Sequence, residues 1–118
     1  MKTPSEKGSF LAPAEFESLR RQTLRQIEKD FGLQGMDIAL TDEVHAYSEL
    51  VNLLSEKLDD LNVLGSSKLQ GLLYQLDISE QFVREDILTQ AEKSHSALLA
   101  DAIIKRCFTK VVYRKKYS

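Results

Sequence analysis

Each of the two histidines stands three residues after a carboxylate, as Asp42…His45 and Glu92…His95. Carboxylate-bridged di-metal centres in four-helix bundles draw a Glu-x-x-His from each of two helices and add further glutamates, all pointing inward. Here the apolar seam of the second expected helix runs through Val44 and Tyr47, which turns His45 outward and leaves Asp42 as a cap or dipole partner. His95 follows the line of Ala91 and Leu98 beside an expected helix break and reads as a turn or surface residue. Without inward glutamates the pairs predict no metal site and no cofactor.

Nucleophilic chemistry has one candidate. Cys107, the only cysteine, lies in the apolar run IIKRCF, where a free thiol behaves as a small buried hydrophobe. Arg106 is adjacent in sequence, and adjacent helical residues do not face each other, so it is not placed to activate the thiol. The acidic pairs Asp59/Asp60 and Glu85/Asp86 fail as acid–base couples for the same reason. No glycine-rich phosphate loop occurs. The expectation is a chain without catalytic residues.

Charge is unevenly placed. From Lys105 onward the chain carries Lys105, Arg106, Lys110, Arg114, Lys115 and Lys116 and none of its 18 acids, so a net charge of -2 divides into +6 on this end and -8 on the remainder. Basic residues at a helix C-terminus complement the macrodipole, and Tyr113 and Tyr117 can pack on a neighbour. The same cluster can instead contact phosphates, with the tyrosines stacking on bases. It can also meet the acidic surface Glu49, Glu56, Asp59 and Asp60 of a second subunit.

The segment Lys68 to Leu88, KLQGLLYQLDISEQFVREDIL, resembles the helix-turn-helix of DNA-binding repressors, with Leu76-Asp77-Ile78-Ser79 at the turn and Leu72 and Val83 at the family's apolar positions. The resemblance implies DNA reading by the helix that begins at Ser79. Asp77 stands where the family has glycine, Leu73 where it has a small residue and Asp86 where it has an apolar one. The recognition helix would offer Glu80, Gln81, Arg84, Glu85 and Asp86 to phosphates, and that acidity favours a plain helical hairpin.

These residues need helices to carry them. Both prolines, Pro4 and Pro13, lie near the start, and beyond Gly35 the only glycines are Gly65 and Gly71, too few turn residues for an all-β chain. Pro13 opens the first helix, whose stripe is Phe16, Leu19, Thr23, Ile27 and Phe31, with Arg20, Arg21, Arg25 and Glu28 mostly outside it and Gly32 as C-cap. Residues Leu33 to Leu40 form a loop or short extended piece. Thr41 or Asp42 caps the second helix, with Val44, Tyr47, Val51, Leu54, Leu58 and Leu61 as its seam and Leu50, Leu53 and Leu64 widening it. Ser66 or Ser67 starts a short third helix carrying Leu69, Leu72, Leu73 and Leu76, in which Gly71 is costly unless a close backbone contact needs it there. Ser79 caps a further helix with Phe82, Val83, Ile87 and Leu88 inward, and Thr89 to Ser96 is either a break or a continuation. From Ala97 the pairs Leu98/Leu99, Ala102/Ile103, Cys107/Phe108 and Val111/Val112 make the last helix the most broadly apolar and therefore central.

At 118 residues, 42% apolar and 29% charged, the chain fits one ordinary folded domain. The reading is an all-α compact bundle of four or five helices over residues 13–118, preceded by a mobile tail over residues 1–12. The lone cysteine, the lack of an apolar leader and the absence of any run near ~18–20 apolar residues predict a cytoplasmic, non-membrane protein. Function is expected to be that of a non-enzymatic protein–protein interaction module, with homodimerisation as one form of it. The alternative is nucleic-acid binding through Lys105, Arg106, Lys110, Arg114, Lys115 and Lys116.

Overall fold

The computed structural model describes residues 13–41, 43–44, 46–61, 67–79, 81 and 94–117. Within them lie four helices, α1 (Pro13–Leu33), α2 (Tyr47–Leu61), α3 (Ser67–Gln75) and α4 (His95–Tyr117), and no strand. The tail over residues 1–12, the pairs formed by Asp42, His45 and Glu92, and the Phe82 to Leu88 helix face lie outside the described residues.

The central position of α4 follows the expectation from its broad apolar surface: it packs along both α1 and α2, while α3 touches α1. Leu98, Leu99, Ala100, Ile103, Ile104, Cys107 and Val111 are buried along it. Against them pack Leu24, Ile27 and Phe31 of α1 and Leu50, Leu54 and Leu58 of α2, closed at one end by Met36, Ile38 and Leu40 and by the α3 leucines Leu69, Leu72 and Leu73. The stretch Met36–Leu40 has no regular structure, as one of the two expected forms required.

Several local expectations are corrected. The first helix is stopped by Gly35 and not by Gly32. Met36 N–H donates to Phe31 C=O at 2.9 Å and Gly35 N–H to Gly32 C=O at 3.0 Å, with Gly35 at φ 76°, which is the Schellman arrangement. Arg20, Arg25 and Glu28, expected mostly outside the apolar stripe, hold the connection that follows: Arg20 Nη1 donates to Val44 C=O (2.8 Å), Arg25 Nη2 to Leu40 C=O (2.8 Å), and Leu40 N–H to Glu28 Oε2 (2.7 Å). Because Val44 is tied down this way, α2 begins at Tyr47 and not at Thr41 or Asp42. Ala46 is its cap, and Glu49 Oε1 accepts the Ala46 N–H at 3.3 Å, one half of a capping box.

The buried line of α2 is Leu50, Leu54 and Leu58, so the face is turned relative to the expected seam and Tyr47 is half exposed. Helix α3 ends in a second Schellman turn: Ile78 N–H donates to Leu73 C=O at 2.8 Å and Asp77 N–H to Tyr74 C=O at 3.1 Å, with Asp77 at φ 61° in the glycine position. The close neighbour of Gly71 is not the expected backbone but a side chain, the Gln34 amide, which a Cβ there would displace. The cluster Ser94-His95-Ser96, whose residue types suit a cap, does cap α4, the Ser94 hydroxyl accepting the Ala97 N–H at 3.1 Å. Ser96 is buried, its hydroxyl donating to the Asp59 carboxylate of α2.

Candidate functional site

Two features stand apart from ordinary core packing. The first is a buried polar chain centred on Asp30, which occupies the stripe Leu19–Thr23–Gln26–Asp30 of α1 and is 1% exposed. Packing places this stripe against the second half of α4. There Lys110 Nζ donates to both carboxylate oxygens of Asp30 at 3.0 Å, and the Cys107 thiol donates to Oδ2 at 3.4 Å. Gln75 Nε2 adds a bond to Oδ1 at 2.9 Å and Gln26 Nε2 one to Oδ2 at 3.2 Å. The chain extends outward, since Arg114 Nη1 donates to Gln26 Oε1 (2.9 Å) and Gln34 Nε2 to Gln75 Oε1 (2.8 Å).

This network joins α1, the turn after it, α3 and α4 through side chains alone. Among the described residues no buried side-chain nitrogen or oxygen lacks a partner. A satisfied network of this kind fixes register, because any slip leaves a buried charge unpaired. Burial, and after it the Asp30 charge and hydrogen bond, push the Cys107 thiol well above its usual range. A protonated, enclosed thiol is the opposite of an activated nucleophile.

The second feature is an apolar cleft of about 330 Å³ where the start of α1, the start of α2 and the middle of α4 meet. Leu19, Leu24, Val44, Leu50 and Ile104 line it, and Arg20 and Lys105 contribute the charged part of its wall. Three aromatic rings that border it remain open to solvent: Phe16 at 53%, Tyr47 at 49% and Phe108 at 45%. Val112, one turn beyond Phe108, is also exposed. The Tyr47 hydroxyl donates to the Asp101 carboxylate on α4. Burial first, then that hydrogen bond and the carboxylate charge, raise the phenol above its usual range.

The six basic residues singled out from the sequence are not gathered into one free surface. Lys105 pairs with Asp101 at 3.0 Å, and Arg106 donates to Leu76 C=O at 2.8 Å with Asp77 at 3.8 Å. Lys110 and Arg114 belong to the Asp30 network. Lys115 and Lys116 are exposed, Lys116 lying 5.5 Å from the Tyr117 ring centre, and the Tyr113 and Tyr117 rings lie 4.5 Å apart. His95 is exposed in the first turn of α4, and among the described residues no three His, Cys, Asp or Glu side chains converge as metal ligands do.

Asp30 and Gln26 went unread in the sequence although their signal is there: two polar residues at helical spacing on an apolar stripe. Phe16, Phe108 and Val112, expected in the core from their spacing, are exposed. Helical spacing identifies which residues share a face, and here the apolar surface of α1 and α4 is wider than the faces their neighbours cover. Comparison with known proteins finds no matching family model, no similar curated protein and no similar solved structure. No helix among the described residues is long and apolar enough to cross a membrane.

Proposed function

We propose that the chain is a non-enzymatic helical interaction module of the cytoplasm whose contact surface is the aromatic rim Phe16, Tyr47 and Phe108 around the apolar cleft. One observation carries the reading: three half-exposed aromatic rings border one cleft. Rings of this size bury ~150–250 Å² each, so the three leave roughly 300 Å² of ring surface uncovered around the cleft. That is the size of the largest apolar patch on a typical monomer, which is often functional. Aromatic anchors beside a pocket are also what carries binding energy at interfaces. The one candidate nucleophile, by contrast, is enclosed and held protonated.

The test is a benzophenone side chain placed at Phe108, and separately at Tyr74, which is 87% exposed on α3. Irradiation in cells is expected to give a discrete adduct from position 108 and none from position 74. Equal or absent adducts at both positions would remove the reading.

Nucleic-acid binding through the basic end is the second reading. It draws on exposed Lys115 and Lys116 and on the exposed Tyr113 and Tyr117. It is weakened by Lys105, Arg106, Lys110 and Arg114, which are engaged within the chain. A salt-dependent shift of single- or double-stranded probes that shrinks when Arg114, Lys115 and Lys116 become alanine would support it. No shift at low salt would eliminate it.

A further inference from the structure

The outward side of α4 carries a pattern that complements itself when reversed. Positions 101, 105, 108, 112 and 115 follow 4-3-4-3 spacing and so share one helix face. They are Asp101, Lys105, Phe108, Val112 and Lys115, of which all but the half-buried Asp101 are exposed. Asp101 precedes Phe108 by seven residues and Lys115 follows it by seven. Each charge therefore stands two turns, about 10 Å, from the ring on opposite sides.

From this we propose that the cleft face binds a second copy of the chain, α4 against α4 in antiparallel orientation with the two-fold axis beside Phe108. The proposal names the partner of the surface described above and rests on that reading. Antiparallel pairing sets Asp101 against Lys115 of the partner subunit and, by symmetry, repeats the contact on the other side of the axis. Parallel pairing would set acid on acid and base on base, so the charges select the orientation. The Phe108 ring of each copy then enters the cleft between α1 and α2 of the other, against Leu19 and Leu50, and covers the half-exposed Phe16 and Tyr47. A net charge of only -2 leaves little long-range repulsion between copies.

Sedimentation equilibrium of the full chain over a wide concentration range tests this. A reversible dimer is expected. Phe108→Glu, a change on an exposed side chain, weakens it about thirtyfold or more. Lys115→Asp weakens it about tenfold because both symmetric pairs become repulsive, and Asp101→Lys does the same. Asp101 also holds Lys105 and Tyr47 within its own chain, so the deciding variant is the double reversal Asp101→Lys with Lys115→Asp, which restores the wild-type dissociation constant to within about threefold. Circular dichroism melts confirm that each variant is folded. A wild-type monomer at every concentration, a dimer unaffected by Phe108→Glu, or a double reversal whose losses add would each overturn the proposal. A monomer that still yields an adduct of another mass at position 108 would overturn self-association alone and leave the interaction surface standing.

Discussion

Asp30 is the residue on which most of the side-chain order depends, since it accepts from Lys110, Cys107, Gln75 and Gln26 while almost wholly buried. Replacing Asp30 with alanine strands the Lys110 ammonium in a partly buried site, and a loss of about 3–5 kcal/mol in urea unfolding is expected. The paired replacement Asp30→Leu with Lys110→Met removes both charges and should recover only part of that loss, because the Gln26 and Gln75 amides and the Cys107 thiol still lose their acceptor. The same site sets an alkaline limit. The unfolded chain releases the Cys107 proton at the ordinary thiol value of about 8.5 while the folded chain retains it. Stability is therefore intact below about pH 8.5 and falls above it, by up to about 1.4 kcal/mol per pH unit for this group. Unfolding of Cys107→Ala across that range should show a shallower decline, and a slope equal to wild type would refute the assignment. Tyr47→Phe should flatten only the part above about pH 10, and by less, since that phenol is half exposed.

Helices α1 and α3 end in the same Schellman turn, one with glycine and one with aspartate in the left-handed position. Gly35→Ala should cost about 1–2 kcal/mol, because a Cβ at φ 76° meets the following carbonyl. Asp77→Gly at φ 61° should gain up to about 1 kcal/mol, offset in part by greater freedom of the unfolded chain. Thermal melts of the two variants should move in opposite directions; movement in the same direction would mean the turns are not equivalent. These ends also show what a sequence discloses. The α-helical class, the start of α1 at Pro13 and the central place of α4 were legible because proline position and apolar spacing act locally. The α3 turn was legible only in part, since aspartate is a weak marker of a left-handed residue. The late start of α2 was not legible, because it depends on Arg20 reaching Val44 across 24 positions of chain.

The whole molecule divides its polar chemistry between inside and outside in a way composition does not reveal. Four of the six basic residues are engaged within the chain, Lys110 with Asp30, Arg114 with Gln26, Arg106 with Leu76 and Lys105 with Asp101, although Lys105 and Arg114 are exposed to solvent, like Lys115 and Lys116. Sequence located this cluster but not its partners, which lie 80 and 88 positions away for Lys110 and Arg114. The aromatic surface is distributed the opposite way, with Phe16, Tyr47 and Phe108 outside where spacing had put them inside. On the proposed reading these rings are covered in use. Hydroxyl-radical oxidation in intact cells, compared with dilute purified protein, measures that cover directly, with exposed Tyr74 as the internal reference. Phe108 and Tyr47 should be several-fold protected in cells with Tyr74 unchanged. Equal oxidation of Phe108 and Tyr47 in both settings would contradict that reading.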